Sequence, residues 1–116
     1  MDILEKIHNY NHRDIIISLP HDKSWLDYLT YFMELKARSE NLEIIISDVP
    51  MSEPGNKCYI VFDGFIEGWM VINKIKETPF NEICLELFPL FNHMPSKVPM
   101  HEIDGYKYYF DDFDKQ

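Results

Sequence analysis

Glycine is scarce, cysteine is nearly absent and positive charge is in short supply: four glycines, two cysteines, and eleven lysines and arginines against twenty acids. Each shortage excludes something. Gly55, Gly64, Gly68 and Gly105 fall in no phosphate-cradling pattern, so there is no glycine-rich nucleotide loop. A Gly-x-Ser-x-Gly nucleophile elbow and a His-Glu-x-x-His helix are also missing. Cys58 and Cys84 stand far apart without metal-type spacing and read as small strand residues of a reducing cytoplasm. No apolar run approaches the roughly 20 residues of a membrane-spanning helix. The polar, acidic start at Met1 and Asp2 is not the expected form of a secretory signal. The expectation is a cytoplasmic chain without a membrane.

The net charge is −9, and it is evenly spread: residues 1–58 hold ten acids and six bases, residues 59–116 ten and five. Affinity for nucleic acid comes largely from cations that neutralise phosphate, so an acidic surface argues against sequence-independent binding. It favours basic partners instead, because complementary potentials speed encounter. With 46% hydrophobic and 15% aromatic residues, the 116-residue chain has enough apolar surface for one core and one domain, residues 1–116.

Local patterns give the order of elements. His8 and His12 are four apart near the start, with no third ligand at a useful offset, so no metal site is expected. Residues 14–19 form a β-branched run closed by Pro20, the pattern of a strand covered on both faces. Ser24 caps a helix over about 24–38, supported by Asp27 at its positive end. Trp25, Tyr28, Leu29, Phe32, Met33 and Leu35 make its apolar face. Residues 42–49 repeat the Ile-Ile-Ile-Ser run, which predicts two similarly buried strands. Strand, helix and strand at this length suggest a βαβ unit with parallel strands.

Asp63-Gly64 between two β-rich runs predicts a type I′ hairpin, and Gly68 a bulge or close backbone approach in its second strand. Residues 82–88 alternate, with Ile83, Leu85 and Leu87 inward and Glu82, Cys84 and Glu86 on a wet face. Residues 89–101, with three prolines, read as a long loop. A last strand covers 105–110, before an acidic end. The predicted fold is α+β: a small mixed or partly open β-barrel of about five to six strands with one main helix packed on it.

No active site is nominated, no cofactor is implied, and the chain reads as non-enzymatic. Two binding surfaces remain. Tyr59, Trp69, Lys107 and Tyr109 interleave rings and a cation on neighbouring strands, a combination that can hold a nucleobase or another planar ligand. Glu102, Asp104, Asp111, Asp112 and Asp114 offer an acidic surface to a basic protein partner. A small Ile-, Asn- and Lys-rich chain without catalytic motifs is also what phages and mobile elements often encode, as inhibitors of a host protein.

The run from Lys57 through Asp63-Gly64 and Glu67-Gly68-Trp69 to Ile72, with the later Asp104-Gly105-Tyr106-Lys107-Tyr108-Tyr109-Phe110, resembles small ASCH (PUA-like) proteins. The resemblance covers about a third of the chain. It implies a partly open β-barrel with flanking helices and a role in binding RNA or a modified nucleotide. Two departures remove positive charge: the Gly-x-Lys-x-x-Glu-x-Arg segment after the first helix is missing, and Glu67 stands where relatives often carry a base. Lys107 is the basic motif position that is kept.

Overall fold

The computed structural model describes residues 14–46, 52–103 and 106–109. His8, His12, Asp104, Asp111, Asp112 and Asp114 lie outside the described residues. In chain order the elements are β1 (Ile15–Ser18), α1 (Trp25–Arg38), β2 (Leu42–Ile46), β3 (Lys57–Phe62), β4 (Phe65–Glu77), β5 (Ile83–Leu87), β6 (Asn92–Pro99), a 3-10 turn (Met100–Glu102) and β7 (Tyr106–Tyr109). No described helix is long and apolar enough to cross a membrane.

The domain is α+β, with one helix and a mixed sheet that curls into a half-barrel. Among the described residues six strands follow one another in the order β2-β5-β4-β3-β1-β7, and a seventh, β6, also pairs with β4. β1 pairs in parallel with β3 on one side and β7 on the other. Ile15, Ile16 and Ile17 are all fully buried, as an unbroken β-branched run requires. Ile15 and Ile17 face the helix side with Tyr28, Phe32 and Leu35; Ile16 faces the opposite side, with Tyr59, Val61, Ile66, Val98 and Ile103.

The second isoleucine run behaves differently. β2 pairs antiparallel with β5 at the far edge of the sheet, so β1, α1 and β2 do not form a βαβ unit with paired strands. Its burial alternates, with Leu42, Ile44 and Ile46 inward and Glu43 and Ile45 exposed. Only one face of β2 is covered, so its isoleucine run buries two side chains, Ile44 and Ile46, where β1 buries three.

Helix α1 is fixed at both ends. Ser24 Oγ accepts from the Asp27 amide, and the Asp27 carboxylate accepts from the Ser24 amide, a complete capping box. At the other end Ser39 adopts the left-handed conformation (φ 55°), and Lys36 and Arg38 sit at the negative end of the dipole.

The Asp63-Gly64 turn has positive φ at both residues (55° and 81°), as type I′ demands. Past it, β4 runs for 13 residues and pairs with three strands. Ile60 opposes Gly68 and Val61 opposes Ile66, so Glu67 is the extra residue of a bulge. Residues 89–101 are not the expected loop. After Leu87 the chain steps out over Phe88–Phe91, then rejoins β4 as β6, with Asn92 beside Trp69. Prolines are tolerated there because β6 pairs on one side only and its register breaks between His93 and Val98, leaving Pro95 out of the ladder.

The return of the chain is close. A Cβ on Gly68 would stand 2.1 Å from the Asn92 carbonyl oxygen and 2.5 Å from the Phe91 ring. Gly68→Ala therefore forces a backbone shift and should cost about 2–3 kcal/mol. Gly64→Ala meets open space and should cost only the left-handed penalty of about 1–2 kcal/mol. Urea unfolding of the two variants measures this order; a Gly68→Ala midpoint equal to that of the native chain would refute the contact.

Candidate functional site

Of the predicted ligand residues, Tyr59, Trp69 and Lys107 fall on one face of the sheet, the side of Ile16. The register sets Lys107 beside Ile16, Ile16 beside Tyr59, and Tyr59 beside Trp69, a single row across β7, β1, β3 and β4. Tyr109 lies in the next row, beside Ser18. The row is not a continuous platform, however. Tyr59 is 2% exposed, covered in the second core with Ile16, Val61 and Ile66, so its ring fills the core and is not a surface contact. Residues of β6 and the 3-10 turn, Met94, Val98 and Met100, roof that region.

What stays accessible lies to either side of the roof. Trp69 is half-buried and Lys107 is exposed. Three strand spacings separate them, roughly 14 Å, which is too far for one ring system to touch both. The cation beside Trp69 is instead Lys57, two residues before Tyr59 on the same face; its Nζ lies 4.9 Å from the Trp69 ring centroid and 6.0 Å from that of Tyr59. The strand alternation of β3 pointed to Lys57, but pairing β3 with β4 was needed to set it over Trp69. The backbone amide of Lys57 is held by the buried Asp14 carboxylate at 2.9 Å. Glu67, the motif position that lost its base, faces Lys97 at 3.8 Å.

Around the helix, the recesses among the described residues include two of opposite character. An apolar groove of about 670 Å³ runs between the end of α1 and the Phe88–Phe91 step, lined by Val71, Phe88, Pro89 and Leu90 with Lys36 as its charged residue. The other recess is acidic, with Glu40, Glu43 and Glu86 around Tyr31 and Leu35. Glu43 and Glu86 are cross-strand neighbours, an arrangement that repels unless compensated. Lys76 supplies the compensation, donating to Glu86 Oε1 at 2.7 Å. That bond raises the Lys76 pKa above its ordinary value. Glu86 is itself buried, so the expected wet face of β5 is partly covered.

The carboxylates also shape the chemistry nearby. Burial, then Glu40, pushes the Tyr31 hydroxyl up. Burial, then Glu43 and Glu86, pushes the Cys84 thiol up. Burial raises Cys58 much further, since it is enclosed in the helix-side core. Neither thiol is set up as a thiolate nucleophile. Among the described residues, no group of three or more His, Cys, Asp or Glu is placed to hold a metal ion. Glu102 is exposed on the 3-10 turn; the other acids predicted to meet a partner lie outside the described residues. The arrangement can bind by charge, ring contact and apolar burial.

Comparison of the chain with protein families, with curated proteins and with solved structures finds no match.

The thiol environments can be read directly. With iodoacetamide near pH 8, Cys58 should stay unlabelled until the chain unfolds, and Cys84 should react more slowly than in urea, because a raised pKa leaves less thiolate. Glu43→Gln should speed Cys84 labelling. Equal rates for Cys84 in native and unfolded protein would contradict the assigned environment.

Proposed function

We propose that this chain is a non-enzymatic interaction domain whose acidic surface docks on a basic surface of a partner, such as a nucleic-acid-binding protein. The supporting observation is that much of the negative charge is not spent inside the fold. Glu34, Glu40, Glu43, Glu77 and Glu82 are exposed and form no ion pair among the described residues, spread over α1, the turn after it, β2 and the β4–β5 hairpin. Carboxylates left in water keep their long-range field, and that field steers a cationic surface toward the protein. The net charge of −9 points the same way.

Capture of partners at two salt concentrations tests this reading. The Debye length falls from roughly 10 Å at 0.1 M to about 3 Å at 1 M, so a basic partner held at the lower salt should be lost at the higher. Recovery of only acidic or neutral partners, or a complex indifferent to salt, would reject it.

A second reading is favoured by one observation, the placement of Lys57 over Trp69 with Lys107 in the same row. On this reading the domain is ASCH-like (PUA-like) and binds RNA or a modified nucleotide, with Trp69 stacking on a base and the two lysines meeting phosphates. The curled mixed sheet with one helix is compatible with that fold. Binding of short RNAs and modified nucleosides at low salt should weaken at least tenfold in Lys57→Glu and Lys107→Glu. No binding, or equal binding by both variants, excludes the site.

A further inference from the structure

The acids of this chain avoid one region. The apolar groove beside α1 has two lobes, one of about 670 Å³ and one of about 240 Å³. Lys36, Pro89 and Leu90 line both, so the lobes meet there. Twenty of the 116 residues are acids, yet neither lobe is lined by one. Lys36 is the charged wall residue, and His93 shares the smaller lobe with it.

The other charges of α1 turn elsewhere. At 3.6 residues per turn, Asp27, Glu34 and Arg38 lie roughly 160–200° around the helix from Lys36. Glu40 follows the left-handed Ser39 past the helix end and lines the acidic recess with Tyr31 instead. Lys36 is exposed and forms no ion pair among the described residues. In a protein of charge −9, an apolar groove thus carries a cation that no carboxylate of its walls neutralises.

The walls are built before a ligand arrives. Phe88 and Leu90 are apolar and 45% and 52% exposed, and the step that presents them is tied down. The Phe88 amide donates to the Val71 carbonyl at 2.9 Å, and the Leu90 amide to the Phe88 carbonyl at 2.8 Å. The Asn92 side-chain amide donates to the Trp69 and Leu90 carbonyls at 3.3 and 3.4 Å. Pro89, inside the step, has its φ fixed by its ring. A wall held in this way keeps its shape when empty, so binding does not have to order it. The larger lobe falls within the range of small-molecule sites, roughly 300–1,000 Å³. Its far end, at Ser39 and Asn41, lies at the negative end of the α1 dipole, so an anion gains at Lys36 and not there.

We propose that this groove binds a small amphiphilic carboxylate, its apolar body along Val71, Phe88 and Leu90 and its carboxylate at Lys36. The site is separate from the acidic docking surface and takes a ligand of the opposite charge. A second copy of the chain is a poorer occupant, because two chains of charge −9 repel.

The probe is decanoate below its micelle-forming concentration, added to the nitrogen-15-labelled chain and followed by backbone amide shifts. The shifts should centre on Val71, Phe88 and Leu90. Lys36→Met keeps the apolar stem and removes the charge, and Lys36→Glu reverses the charge. Decanoate should bind Lys36→Met about threefold and Lys36→Glu about tenfold more weakly than the native chain. Decanol should bind the native chain and Lys36→Met alike, and decylamine should prefer Lys36→Glu. Leu90→Ser should weaken decanoate and decanol together. Circular dichroism should show all three variants folded, since both positions are exposed. No binding of decanoate, shifts centred outside the groove, or equal affinity of the native chain and Lys36→Glu would overturn the site. Decylamine binding the native chain as tightly as decanoate would overturn it too, by assigning the attraction to the overall acidity. A native chain that sediments as a dimer and a Leu90→Ser chain that does not would give the groove to a second copy and overturn the proposal. Each of these failures leaves the basic-partner reading standing, since that reading concerns the acidic surface.

Discussion

The arrangement of both faces depends on one close approach, the backbone of Asn92 and the ring of Phe91 seated against Gly68. β4 is long enough to need two successive partners on one edge, and β5 and β6 supply them with the Phe88–Phe91 step between. The step works only if the chain can turn back onto β4 where no side chain stands in the way. Once it does, Phe91 reaches the helix, stacking on Phe32 at 5.5 Å and meeting Trp25 edge-on at 5.5 Å, and Trp25 stacks on Phe62 beside the hairpin turn. β6 then continues over the opposite face and roofs Tyr59 and Ile16. One missing Cβ thus sets the groove on one side and the roof on the other.

Much of this was legible from local chemistry. The capping box at Ser24, the type I′ turn at Asp63-Gly64 and the doubly covered run at Ile15–Ile17 depend on neighbouring residues or on a pattern with one structural solution. Gly68 was legible too, as a glycine inside a strand pattern. What could not be read is pairing over long range. The isoleucine runs of β1 and β2 are nearly the same words, yet one lies between two paired strands and the other at an edge of the sheet. Strand residues state how much they can bury, not which partners will cover them. Residues 89–101 failed for a related reason: proline forbids a central ladder position and leaves open an edge strand that pairs on one side only.

The candidate site was half legible for the same cause. Residue types nominated Tyr59, Trp69 and Lys107 on separate strands, but alternation sorts faces only within one strand, and the register of β7, β1, β3 and β4 was needed to bring them to a common face. Alternation also could not reveal that β6 would cover the middle of that face, which removes Tyr59 from the surface, or that Lys57 would stand over Trp69. Covered rings and exposed rings have identical sequence signals; only the roof distinguishes them.

Met33 marks the same limit on the helix and carries the energetic argument further. Its residue type counts it into the apolar face, but at 3.6 residues per turn it lies on the side of α1 away from Tyr28, Phe32 and Leu35, and it is 70% exposed. Burying an exposed Leu, Met or Phe side chain is worth about 1.5–3 kcal/mol. Leu26, Met33, Phe88 and Leu90 are already partly covered, at 71%, 70%, 45% and 52% exposure, and together would therefore contribute roughly 4–7 kcal/mol to a complex that covered them. Association itself costs about 4–15 kcal/mol in lost freedom. Apolar burial on this surface is thus of the same size as the cost of binding, and does not alone make a stable complex. The remainder has to come from charge, which is the property this chain has in excess. On the proposal that the partner is basic, charge supplies the margin that a neutral surface lacks and an acidic one loses.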